Sequence, residues 1–163
     1  MKRSAKIIQI KKLNKYIIIS FTGLLLLISI SSFKEWRMAS DYSLSVEVNN
    51  LRNANGVVIF ALYNREDAFP DEHYKKYFKK ITGKIVNGSS SVIFENLPPG
   101  KYAANILHDE NNDGKIKKAF FLPVEGIGFS NYQSIGFGNK PKFSKASFEL
   151  FSNKKIKIKI IYM

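Results

Sequence analysis

The sequence has 163 residues, with 26 Lys and Arg against 13 Asp and Glu, a formal net charge of +13, and no cysteine. That length holds one domain plus a targeting segment, and the missing cysteines exclude disulfides, thiolate nucleophiles, Cys-ligated metals and a lipidated lipoprotein cysteine. Six cations (Lys2, Arg3, Lys6, Lys11, Lys12, Lys15) precede an apolar stretch, leaving 20 basic and 13 acidic side chains from Phe33 onward, a net +7. Most of these are lysines with no arginine–aromatic cluster, which argues against nucleic acid as a partner.

Residues 1–15 form a basic leader, and 16–30 an apolar segment of signal-peptide length that predicts an N-terminal apolar helix. Ser29-Ile30-Ser31-Ser32 offers a small-x-small cleavage site. Residues 1–32 are therefore expected to be a signal peptide, or an inner-membrane anchor where uncleaved, and 33–41 a linker. The expected location is exported: periplasmic, cell-surface or secreted. Membrane contact is expected only through that N-terminal segment if it stays uncleaved.

The domain is expected over 42–162. Leu44, Val46 and Val48 alternate with Ser43, Ser45 and Glu47 as in a half-buried strand, and Val57–Tyr63 is a continuous apolar run typical of a central strand. Tyr74, Tyr77, Phe78 and Ile81 fall at i, i+3, i+4 and i+7, with Asp71 and Glu72 ahead and Gly83 behind. That pattern predicts one short amphipathic helix whose lysines form a solvated face. Strands are expected again at Lys84–Val86, Val92–Glu95 and Lys101–Leu107, with Asn87-Gly88 and Pro98-Pro99-Gly100 as hairpin turns. Ala119–Val124 carries a proline and suits an edge or irregular segment. Glu125–Asn139, rich in glycine and aromatics, is expected to be a long loop. Ala146, Phe148 and Leu150, then Ile156, Ile158 and Ile160, predict two closing strands. Together these make a mainly β protein, an antiparallel β-sandwich of about seven strands of immunoglobulin-like or transthyretin-like type.

Chemistry-bearing residues concentrate in His108–Lys115. Asp109, Asn111 and Asp113 present oxygens at alternate positions ahead of Gly114, the first half of a calcium loop, with the Lys115 backbone carbonyl next and Glu125 within reach. The EF-hand twelfth position is Phe120, which supplies no carboxylate. The competing reading is an Asx-rich turn bonded to its own backbone. His108 and His73 are the two histidines, too few to support a transition-metal site without cysteine. No nucleophile elbow, His-Glu-x-x-His or phosphate loop occurs, so an enzyme is not expected.

Tyr63–Pro70, Phe94–Tyr102, His108–Lys115, Glu125–Asn131 and Ala146–Phe148 together resemble the signatures of the bacterial domain-of-unknown-function family 2141, over about residues 42–162. The resemblance implies a small exported β-sandwich with no assigned activity. This chain departs from the family pattern at Lys115-Ile116-Lys117-Lys118, where an acidic residue is common. The expected role is a non-catalytic binding module for an envelope protein, peptide or glycan, with His108, Phe129, Tyr132 and Phe137 as its candidate ligand surface and calcium as its candidate ion. Two alternatives stand beside it: a structural envelope protein with a calcium-stabilised loop, and a weak enzyme pairing His108 with Asp109 or Glu125.

Overall fold

Alternating and continuous apolar runs become strands in two main sheets, described by a computed structural model for residues 41–120 and 122–163. The expected leader, N-terminal helix and most of the linker lie outside the described residues. The first sheet has the order β10 (Lys154–Lys159), β1 (Tyr42–Asn49), β4 (Ser90–Leu97). The second runs β3 (Lys79–Gly83), β2 (Val57–Tyr63), β5 (Gly100–Asp109), β8 (Gly126–Phe129), with β9 (Phe148–Leu150) pairing the start of β5. A small hairpin joins β6 (Lys118–Ala119) to β7 (Leu122–Pro123).

Period-two sequences put one face of each sheet inside. Leu44, Val46 and Val48 of β1, Val92 and Phe94 of β4, and Ile158 of β10 share one apolar cluster with Val58, Phe60 and Leu62 of β2 and Ala104 and Ile106 of β5. The outward positions of the first sheet are polar apart from Ile93, and Glu47 is ion-paired to Lys155 and Lys157. β2 and β5 are buried on both faces, as their unbroken apolar runs require. Their second face, through Ile59, Ala61, Tyr63, Ala103 and Leu107, packs a second cluster roofed by loops carrying Phe69, Tyr74, Tyr132 and Ala146.

The chain is mainly β, and six expectations about it need correction. Residues 71–83 form no helix. The Asp71 carboxylate accepts the N–H groups of His73, Lys75 and Lys76, knotting the segment into a loop, which is the usual way a short carboxylate competes with helix. Ile81 and Thr82 then pair with β2 in the register Phe60↔Ile81, because a β-branched pair on a buried strand gains more than an isolated turn of helix.

The two sharp turns are not hairpins within a sheet. Asn87 (φ 50°) and Gly88 (φ 70°) make a local turn closed by Val86↔Ser89, and Pro98-Pro99 follows Leu97 directly. Each carries the chain from one sheet to the other. Lys84–Val86 is accordingly a connector with a single bridge. Residues 126–129 form strand β8 inside the expected loop, and Ala146 ends a four-residue helix, α1 (Phe143–Ala146), ahead of β9. Pairing is not wholly antiparallel either: β10 lies parallel to β1, with Val46↔Ile156 and Val48↔Ile158.

Candidate functional site

β5 delivers His108 and Asp109 to one end of the fold, where Gly56, at φ +68°, lets the start of β2 pass tightly against Asp109. The acidic loop that follows is bonded to itself. Asp109 Oδ1 accepts the Asp113 N–H (3.1 Å) and Oδ2 accepts the Gly114 N–H (2.9 Å). Asn111 Oδ1 accepts the Asp113 N–H (3.1 Å), and its amide donates to Asp113 Oδ2 (3.0 Å). Asp113 Oδ1 accepts the Lys115 N–H (3.0 Å). That backbone bond, with the Asn111 amide, holds the Asp113 carboxyl below its ordinary range. Glu125, buried, spans the loop's limbs by accepting the Glu110 N–H (3.1 Å) and the Lys117 N–H (2.9 Å).

A second set of bonds ties this loop to distant segments. Arg52 grips Glu110 with two parallel bonds, Nε to Oε1 (2.7 Å) and Nη2 to Oε2 (2.5 Å), and Asn53 adds a third (2.8 Å). The guanidinium also donates to the Val124 carbonyl (2.9 Å) and lies over the Tyr162 ring, 4.6 Å from its centroid. Its bonds hold the Glu110 carboxyl below the usual range.

His108 has no exposure to solvent. Its Nε2 lies 3.0 Å from the Asn55 carbonyl, which can only accept, so Nε2 carries the proton. In the neutral ring Nδ1 accepts the Tyr162 O–H at 2.7 Å, and the same hydroxyl oxygen accepts the Arg52 backbone N–H at 3.2 Å. One directional chain therefore runs from Arg52 through Tyr162 and His108 to Asn55. Gly126 makes room for it: a Cβ there would stand 2.4 Å from the Tyr162 ring and 2.5 Å from Ile160.

The assembly is a clasp. It joins residues 52–56, 108–117, 124–126 and 162, and each described carboxylate in it already accepts backbone or side-chain donors. Among the described residues, no three His, Cys, Asp or Glu side chains converge as a group able to hold a metal ion. His108 packs against Glu110 (Nδ1 to Oε1, 3.7 Å) and its side chain is fully buried. Elsewhere, Ser90 lines a shallow groove of about 360 Å³ with Glu47, Lys84, Val86, Ser89 and Ser91. Its buried hydroxyl has no hydrogen-bond partner among the described residues.

The expected ligand surface is largely corrected. Phe129 and Tyr132 are 3% and 2% exposed, because 126–129 is a strand and the loop after it folds over Phe69 and Phe143. With His108 also buried, Phe137, 93% exposed, is the one of the four that faces solvent.

Sequence reading missed Arg52, Asn53 and Tyr162, whose signal was faint: an Arg-Asn pair in a turn cluster, and a terminal strand still in need of a partner. It also misread Asp71. Under the second cluster, Asn105 accepts from the Tyr74 hydroxyl (2.8 Å) and donates to the Asp71 carbonyl (3.1 Å), and burial pushes the Tyr63 and Tyr74 phenols up.

Compared with known proteins, the profile of a bacterial family described as "Uncharacterized protein conserved in bacteria (DUF2141)" matches residues 46–159. No curated protein and no solved structure matches the chain.

Proposed function

This chain belongs to the DUF2141 family, and on that premise we propose that it is an exported, non-catalytic β-sandwich module of the cell envelope, of immunoglobulin-like or transthyretin-like type. Its acidic loop closes one end of the fold, and it meets its partner through exposed loop tips, Phe137 foremost. The partner class is an envelope component, not nucleic acid. The observation that carries this reading is the clasp itself. The polar groups an enzyme would turn toward substrate are turned inward, and His108 is sealed between Tyr162 and Asn55.

Diethyl pyrocarbonate provides the test, since this chain has two histidines with opposite exposure. His73 is exposed and His108 is not. In the native protein His108 should be acylated at least about tenfold more slowly than His73, and at a comparable rate once the chain is unfolded. Equal native reactivity, read by peptide mass spectrometry, would place His108 in an open cleft and restore the enzyme reading.

A second reading, a calcium-stabilised loop, is favoured by the alternation of Asp109, Asn111 and Asp113 before Gly114 at φ +75°. A thermal melt separates the two. The self-bonded loop should give the same midpoint in EDTA and in calcium. A site with a dissociation constant of about 10 μM would instead add about 2.7 kcal/mol at about 1 mM ion. For a domain of this size that is a shift of several degrees.

A further inference from the structure

The loop after β8 combines three features that share no structural purpose. Phe137 stands almost fully exposed at the tip of a turn closed by the Asn139 N–H to the Gly136 carbonyl (3.0 Å). Gly136 and Gly138 on either side have nothing within 4 Å of where a side chain would begin, so the ring projects alone. From Gly126 to Phe148 the sequence holds Lys140, Lys142 and Lys145 and no Asp or Glu; all three lysines are exposed.

The loop is also built rather than slack. The buried Tyr132 hydroxyl donates to the Lys140 carbonyl (3.1 Å) and accepts the Lys142 N–H (2.9 Å). Asn139 donates to the Ser134 carbonyl (2.7 Å), and its side-chain oxygen accepts the Lys145 ammonium (2.6 Å), which sits 4.7 Å above the Tyr132 ring. The fold thus holds in place an aromatic ring that gains nothing from water, in a stretch of chain whose only charged side chains are exposed lysines.

We propose that this loop docks on an anionic phospholipid surface, Phe137 entering the headgroup–acyl boundary while Lys140 and Lys142 meet the lipid phosphates. The inference rests on the reading above that Phe137 makes the contact, and it supplies the partner. An aromatic tip needs an apolar phase to enter, and the lysines need fixed negative charge around that entry point. An anionic bilayer interface offers both. Lysine suits this geometry because its flexible stem follows the ring inward while the ammonium stays at headgroup level.

The test places a fluorophore at the tip in the full chain. With the sole tryptophan replaced (Trp36→Phe) and Phe137→Trp introduced, vesicles of phosphatidylcholine and phosphatidylglycerol carrying brominated acyl chains should blue-shift and quench the emission. Pure phosphatidylcholine should leave the emission at 137 unshifted and unquenched, even where the N-terminal apolar segment holds the chain to the vesicle. Lys140→Gln with Lys142→Gln should weaken the quenching isotherm roughly thirtyfold, and raised salt should weaken it further. A probe at Ile93, exposed on the outer face of the first sheet, should stay unquenched. The proposal is overturned by an unquenched Trp at 137 in anionic vesicles, by equal quenching in neutral ones, by indifference to the lysines, or by equal quenching at 93. An unquenched Trp at 137 would point to a protein partner at that tip. Because the histidine-acylation test reads a different group, failure here leaves the non-catalytic reading standing, and failure there leaves the lipid contact standing.

Discussion

Gly56→Ala should lower the folding free energy by about 3 kcal/mol or more, seen as a fall in the urea midpoint at an unchanged slope. Two costs add. Gly56 has φ +68°, where an L-residue with a Cβ loses about 1–2 kcal/mol. The new methyl would also stand 1.8 Å from the Asp109 carbonyl oxygen, 2.8 Å from its carbon and 2.9 Å from the Glu110 Cα. All three are backbone atoms, with no flexible side-chain end to yield, and Asp109 is the register partner of Val57. Relief therefore means opening the end of the β2–β5 ladder and loosening the acidic loop with it. Gly114→Ala supplies the control, because Gly114 has φ +75° but open space around it, so it should cost only the conformational part. Equal losses for the two variants would mean that the Gly56 clash relaxes freely and that the tight passage at Asp109 contributes nothing.

His108→Leu should cost about 2 kcal/mol, although it replaces a polar residue with an apolar one in a buried place. The substitution removes the ring partner of the Asn55 carbonyl and of the half-buried Tyr162 hydroxyl, two bonds of about 1 kcal/mol each where water replaces part of what is lost. Tyr162→Phe alone removes the hydroxyl and leaves Nδ1 and the Arg52 N–H unsatisfied. Combining the two should cost clearly less than their sum, with a coupling of at least about 1 kcal/mol, since the second change removes a group the first had already orphaned. Additive losses in a urea-unfolding cycle would show that His108 and Tyr162 do not act as one hydrogen-bonded unit. Amide exchange at the Ile161–Ile127 bridge gives a second readout. Loss of the His108 bond should speed exchange there more than at β1, because Tyr162 fastens the end of the chain.

The structure also explains which readings of the sequence held and which failed. The alternation in Leu44–Val48 and Ile156–Ile160 and the unbroken run Val57–Tyr63 were legible because a strand's side-chain period is a local property, independent of its partner. The stripe Tyr74, Tyr77, Phe78, Ile81 misled because four apolar residues at helical spacing do not decide between a helix and a loop feeding a strand. Asp71, with three backbone N–H groups within its reach, and the open edge of β2 decided it. Gly126 and Gly128 resembled loop glycines, yet they sit in β8 because Ile160, Tyr162 and the Lys159 carbonyl press against that strand where a Cβ would be. The need for bare backbone is set by a segment more than thirty residues away.

By itself, then, the sequence determined a mainly β domain, membership of its family and a polar loop after β5, because each of these is written in runs of adjacent residues. Tertiary structure decided the rest. It set β10 parallel to β1, turned Asn87-Gly88 and Pro98-Pro99 into passages between sheets, buried His108, Phe129 and Tyr132 while leaving Phe137 in solvent, and joined Arg52, Glu110, His108 and Tyr162 into a clasp. The physical reason is common to all of these. Burial and hydrogen-bond partnership depend on which distant backbone arrives alongside, and no local pattern specifies that.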